Sequence, residues 1–359
     1  MSTLYEDWVD FAHLGPKPAG SKMNEAASQW LEDSLKQEGI TSHQHRFDTT
    51  VWTLKNFEPL KMVESDQILE SYPAVGSSSG NIKQGLIERS GTTNIWHMYQ
   101  WPRYTVKNHV GKVIAHITAR PDGPPLSQTL LETWNYPHLF VGEDTFREWE
   151  ALINSGKTPT VSFQIETEIT KKELINVHGI IKGTNSDLPP LVIGAHFDTM
   201  YNTIGAYDNA SGTMVLLHLI KHLFDKPIER DIHYVFFNAE ELLLAGSKAF
   251  VNDFYSEKDS LNIMINIEGM GRGSQVDIWS TNPNKIKNLE LLKSNFDSLH
   301  QITPPLAGSD HQPFVDVGHP AMMLTVNDQE IIHSRRDVPQ SEMVKNMKIL
   351  YSYLEKITV

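Results

Sequence analysis

Apolar residues recur at helical spacing through "KMNEAASQWLEDSLKQEG", residues 22–39, where Met23, Ala26, Ala27, Trp30, Leu31 and Leu35 share a face and Gly39 can end the last turn. This spacing predicts an amphipathic helix. The following "ITSHQHRFDTTVW" reads as extended. From residue 53 the pattern breaks into short strand-like pieces such as "GKVIAHIT" and "PTVSFQIETEI", set between turn-rich "AVGSSSG", "ERSGTT" and "ARPDGPP". One helix interrupts them at "EDTFREWEALINSG", and a second is open at "LSQTLLETW". Residues 53–170 are therefore expected to form a smaller β-rich domain inserted into a larger one made of 1–52 and 171–359.

From about residue 171 the pattern alternates. "LINVHGIIKG", "PLVIGAH", "DIHYVFFN", "LNIMINI" and "AMMLTV" read as strands. "SGTMVLLHLIKHLF", "LAGSKAFVNDF", "PNKIKNLELLKSNFDSLH" and "SEMVKNMKILYSYLEKI" read as helices, the first of them apolar nearly all round and so buried. Such alternation predicts the α/β class, with a mixed, largely parallel sheet flanked by helices on both faces.

Composition narrows the function. The 359 residues are 40% hydrophobic and 21% charged, as in an ordinary folded protein. A formal net charge of -13 argues against nucleic acid or an anionic membrane surface as partner, because both require positive surface. The start "MSTLYEDWVDF" lacks the basic and apolar stretches of a secretory signal, and no apolar run approaches a bilayer span, so a cytoplasmic location is expected. There is no cysteine. Any metal must then be held by His, Asp and Glu.

In open α/β sheets functional groups collect beyond the carboxyl ends of the strands. His196 and Asp198 follow "LVIGA", Asp208 precedes the next helix, Glu240 and Glu241 follow "HYVFFN", Glu268 follows "NIMINI", and His333 comes after "AMMLTV". Converging on one rim, these groups would repel and desolvate one another unless cations held them. Two divalent metals are the natural solution. Taken singly, each residue has a plainer explanation: Asp208 as a helix N-cap, the Glu pair as partners of a helix dipole, His333 as a surface residue. The ordered conjunction favours the metal site.

The same segments, "GAHFDT", "GAYDNASG", "NAEELLLAGS", "NIEGMG", "GSDHQPF" and "IIHSRRDVP", resemble the co-catalytic zinc aminopeptidases of metallopeptidase family 28, whose relatives include glutamate carboxypeptidase and glutaminyl cyclase. The resemblance covers the N-terminal helix and everything from about 171 onward, and the middle region is similar to a protease-associated insert. It implies a zinc-exopeptidase fold and two zinc ions per chain, with cobalt or manganese as substitutes. His196, Asp208 and Glu268 would hold one ion, and Asp208, Glu241 and His333 the other, with Asp208 bridging and a hydroxide shared between the metals. Glu240 would be the general base. Asp198 would accept a hydrogen bond from His196, and His311 would donate to the oxyanion. Glu268 departs from the aspartate found in many relatives by one methylene, and no tyrosine lies between Glu268 and His333.

The implied activity is removal of N-terminal residues from peptides with a free amine. A carboxypeptidase would instead need Arg272, Arg335 or Arg336 to read a terminal carboxylate. A glutaminyl cyclase or a non-catalytic binding module are the remaining alternatives, and a homo-oligomer is left open. Other candidates receive structural readings: His218 and His222 as packing residues, His319 as a turn residue, and Trp96, Tyr99, Trp101 and Tyr104 as core or domain-contact aromatics.

Overall fold

In the computed structural model, which describes residues 3–96, 98–130, 135–257 and 261–358, the chain divides into two units. Unit 1 comprises residues 1–49 and 172–359, and unit 2 comprises 50–171. The elements, in order, are α1 (Leu4–Ala12), α2 (Lys22–Gln37), β1 (His43–Met62), β2 (Ser71–Pro73), β3 (Gly80–Ile95), β4 (Tyr99–Lys107), β5 (Val113–Ala119) and β6 (His138–Val141). Then come α3 (Glu143–Asn154), β7 (Thr160–Ile181), β8 (Leu191–His196), α4 (Gly212–Leu223), β9 (Ile232–Phe237) and α5 (Ala245–Phe254). The chain closes with β10 (Ile263–Met270), β11 (Gln275–Ser280), α6 (Leu289–Lys293), β12 (Ser298–Ile302), α7 (Gln312–Asp316), β13 (Ala321–Val326) and α8 (Ser341–Thr358).

The sheet of unit 1 runs β12-β11-β13-β10-β8-β9-β7. Strands β9, β8, β10 and β13 are mutually parallel, while β7 and β11 pair antiparallel at their flanks. The class is α/β with a mixed sheet, as the alternation predicts. Successive side chains point to opposite faces, and both faces are covered. Leu191, Ile193 and Ala195 of β8 and Ile263, Ile265 and Ile267 of β10 join one core with residues of α1, α2, α4 and α8. Val192 and Met264 join a second core with Phe250, Val251 and Phe314 of α5 and α7. Each such side chain, fully buried, contributes about 1.5–3 kcal/mol. This holds the carboxyl ends of the four parallel strands in fixed register.

Several elements differ from expectation, β11 and α7 among them. Residues 283–300 do not form one helix: Pro283 opens a 3-10 turn, Asn288 adopts a left-handed conformation at φ 57, and the chain then makes α6 and β12. Helix α1 is set by a capping box in which Thr3 Oγ1 accepts from the Glu6 amide and Glu6 Oε2 accepts from the Thr3 amide. "PTVSFQIETEI" and "LINVHGIIKG" are parts of one strand, β7, and the boundary between the units falls inside it. Of the helix left open at 126–134, residues 131–134 lie outside the described residues, and 126–130 are not helical.

In unit 2 the order is β7-β3-β4-β5-β6-β2, around a core that includes Tyr104, Ile117, Leu139, Trp149 and Phe163. Of the middle-domain aromatics, Tyr104 is fully buried, donates to Glu150 Oε1 at 2.7 Å and meets the Trp149 ring edge-on at 5.3 Å, and buried Trp101 lies 6.5 Å from Phe140, whereas Tyr99 is exposed, against expectation.

Candidate metal centre

Four parallel strands deliver the site. His196 is the last residue of β8, Glu240 and Glu241 follow β9, Glu268 lies near the end of β10, and His333 lies beyond β13. Asp208 comes from the irregular turn Ala206–Ser211 ahead of α4, entered through Gly205 at φ 63. Its backbone is not helical, with φ -112 and ψ 97. It is not the helix cap either, because Asn209 Oδ1 accepts the Gly212 amide at 3.1 Å.

The side chains then converge. Asp208 Oδ1 lies 3.2 Å from His196 Nε2, and its Oδ2 lies 3.0 Å from His333 Nε2. His196 Nε2 is also 3.1 Å from Glu268 Oε1, and His333 Nε2 is 3.3 Å from Glu241 Oε1. One carboxylate therefore faces two histidines, one at the end of β8 and one in the loop beyond β13, one through each oxygen. Ligand atoms of Asp208, Glu241 and His333 lie within 4.8 Å of one another, and so do those of His196, Glu240 and Glu268. The five expected ligands come together, and Glu240, expected to stay unligated, belongs to the same trio as His196 and Glu268.

Neighbouring groups orient the donors. His196 Nδ1 donates to the main-chain carbonyl of Asp198 at 3.2 Å, while the Asp198 carboxylate stands off at 3.5 Å. That carboxylate instead accepts the amides of Glu240 and Glu241 at 3.1 and 3.2 Å, fixing the turn that presents both acids. Glu268 Oε2 accepts from Ser309 Oγ, which in turn receives a 2.7 Å bond from Asn266. His333 sits at φ 53, an unfavourable conformation for a residue with a Cβ, and Asn202 holds its carbonyl at 2.9 Å.

The electrostatics fit a cation-binding cluster. Burial pushes the Glu240 and Glu241 carboxyls up, with neighbouring acids adding to it. Burial opposes protonation of His196 and His333, yet the surrounding carboxylates carry both rings well above the usual range. Burial would raise Asp208, but hydrogen bonds from the two histidines hold it far down. A divalent ion on each trio would take the place of these shared protons.

His311 is a correction. Its Nε2 donates to the Leu306 carbonyl at 2.9 Å, and burial lowers its pKa to about 4. A neutral imidazole has one N–H, so no donor remains for an oxyanion. His218 and His222 pair with Asp7 and Glu355, and neither belongs to a metal-binding trio found among the described residues. His319 is buried and donates to the Tyr255 carbonyl at 2.7 Å. Arg272 is clamped by Asp328 at 2.6 and 2.7 Å and by Glu330 at 2.9 Å, while Arg335 and Arg336 are exposed.

Two acids went unnoticed in the sequence. Fully buried Asp337 accepts the amides of Tyr207 and Asp208 at 2.6 and 3.1 Å, and burial pushes its carboxyl up to about 8. Asp310, also fully buried, is pushed up to about 8 for the same reason, with Glu268 and Asp198 adding to it. Their signal was a place inside "IIHSRRDVP" and "GSDHQPF", next to residues already singled out.

Comparison with known proteins identifies the family and the fold. The profile of peptidase family M28 matches residues 176–355. The vacuolar membrane protease of Lachancea thermotolerans is 31% identical over 145 residues, 40% of this chain and 15% of that protein. Aminopeptidase YwaD of Bacillus subtilis is 31% identical over 186 residues, 47% of this chain and 38% of that protein. The chain thus matches well under half the length of either relative. Among solved structures, a zinc aminopeptidase from Bacillus subtilis superposes with a TM-score of 0.69 at 18% identity, covering 98% of this chain and 94% of that one. The expected cytoplasmic location does not stand, because several matched fungal relatives are vacuolar membrane proteases. Among the described residues no helix is long and apolar enough to cross a membrane.

Proposed function

The chain belongs to peptidase family M28, and on that premise we propose that it is a two-metal aminopeptidase acting on peptides with a free N-terminus. The observation that carries the reading is Asp208, whose two oxygens each face a different histidine. The donor set suits the group: two imidazoles and three carboxylates, without thiolate, match zinc and also admit cobalt or manganese. His196, Asp208 and Glu268 would hold one ion, and Asp208, Glu241 and His333 the other. When bound, such ions acidify water and polarise a carbonyl.

The chain's own groups supply the rest. Glu240 is the candidate general base, taking a proton from the attacking water and returning it to the leaving amine. Its backbone is anchored on Asp198, so the carboxylate is positioned before substrate arrives. The acids of the cluster would pair with a substrate ammonium. A carboxypeptidase reading is weakened by Arg272, whose guanidinium is already paired with two carboxylates.

The test compares an amino-acid arylamide with its N-acetylated form, using wild type and Glu240→Gln after zinc loading. Hydrolysis of the free-amine substrate is expected, falling by about 10²–10⁴ in the variant with metal content unchanged. Cleavage confined to the blocked substrate would rule out the aminopeptidase.

A further inference from the structure

A cavity of about 480 Å³ opens at the other end of the same strands. Leu191 of β8, Ile263 of β10 and Met322 of β13, all buried, contribute its apolar wall, joined by Ile286 and Ile357. His196 lies five residues further along β8, about 17 Å away at the usual rise of a strand. This cavity is therefore separate from the metal cluster.

Its charge runs against that of the molecule. In a chain of net charge -13, the lining includes Arg230, Lys285, Lys287 and Lys356 against a single acid, Glu229. None of the four cations forms an ion pair among the described residues. Arg230 donates to the Pro189 carbonyl at 2.9 Å and Lys285 to the Asn262 carbonyl at 2.8 Å, contacts that leave both charges uncompensated. Tyr353, also in the lining, is fully buried, and its hydroxyl has no hydrogen-bond partner among the described residues. A buried hydroxyl left unpaired is unfavourable, and a bound acceptor would satisfy it.

We propose that this cavity binds a small amphiphilic carboxylate, its head among Arg230, Lys285, Lys287 and Lys356 and its hydrocarbon body against Leu191, Ile263 and Met322. Volume, apolar wall and convergent polar groups are those of a ligand site. The head group is acidic because four cations and one acid line the cavity, and the body is apolar because the wall is. A fatty acid and the carboxyl end of an apolar peptide share this chemistry.

Calorimetric titration of the zinc-loaded full chain separates the outcomes, with decanoate and N-acetyl-leucyl-leucine as the two sources and decylamine and acetate as controls. Saturable binding of either carboxylate is expected, with acetate and decylamine at least ten-fold weaker. Lys287→Glu with Lys356→Glu, both at exposed positions, should weaken it by about ten-fold or more, the scale of lost charge-assisted contacts, while the unfolding midpoint without ligand stays unchanged. Tyr353→Phe should weaken it less. Absence of saturable binding by both carboxylates, equal binding of decylamine, or carboxylate binding that survives the double variant would overturn the proposal. The last result would place the ligand at the metal cluster instead.

Discussion

Asp337 shapes the site through backbone amides. Its two oxygens take the N–H groups of Tyr207 and Asp208, and so fix the one residue that must face both histidines. Asp337→Asn keeps one acceptor and replaces the other with a donor, which misaligns Asp208 without touching a ligand. Metal affinity should fall by about 10–100-fold, the usual effect of losing an outer hydrogen bond at a metal site, with far-UV circular dichroism unchanged. An unaltered affinity in competitive chelator titration would show that Asp208 is held by other means. At this scale the ligands were legible because few residue types bind a hard cation, and each lay at or beyond the end of a readable strand or, for Asp208, ahead of a readable helix. Asp337 was not, since an acceptor for a backbone amide can come from anywhere in the chain. His311 misled for a related reason: the Leu306 carbonyl, five residues upstream, claims its proton.

Elements place these residues through close contacts that tolerate little change. Gly205 opens the Asp208 turn at φ 63, where a Cβ would come within 2.3 Å of both the Asp208 carbonyl oxygen and Thr199 Cγ2. Trp8 of α1 reaches the same turn, donating to the Ala206 carbonyl at 2.8 Å. Gly205→Ala should therefore cost about 1–3 kcal/mol in a urea titration and reduce bound metal, although it removes no ligand. Full metal occupancy with unchanged stability would mean that the turn yields readily. Strands β8, β9, β10 and β13 were legible because buried parallel strands are short continuous apolar runs. Residues 283–300 were not: their helical spacing gives way at Pro283 and Asn288, whose backbone preferences act locally and override the pattern. Helix α1 is short, and its capping box lies at the very start of the chain.

Across the molecule, stability should depend on pH through buried histidines in unit 2. Burial, with nearby His116 and Arg103 adding to it, lowers His138 to about 3, and burial lowers His116 to about 4. Both rings are neutral in the folded and unfolded chain above pH 6.5. Below it the unfolded chain takes up protons that the folded chain refuses, so stability is lost as pH falls from about 6.5 toward 4 and 3. Each proton withheld costs about 1.4 kcal/mol per pH unit. Urea midpoints of the full chain at pH 7 and pH 5 should drop further in wild type than in His138→Gln; equal drops would remove His138 from the account. The two-unit division follows a change of texture in the sequence, yet the continuity of β7 across it was hidden, because alternation on a strand carries no mark of where a core ends.

The central claim is that Asp208 joins two cation sites built on four strand ends. Metal content per chain, measured after zinc loading and removal of free ion, tests it most directly when wild type is set beside Asp208→Ala. Two ions in wild type and one or none in the variant are expected. A single ion in wild type, or two in both proteins, would contradict it.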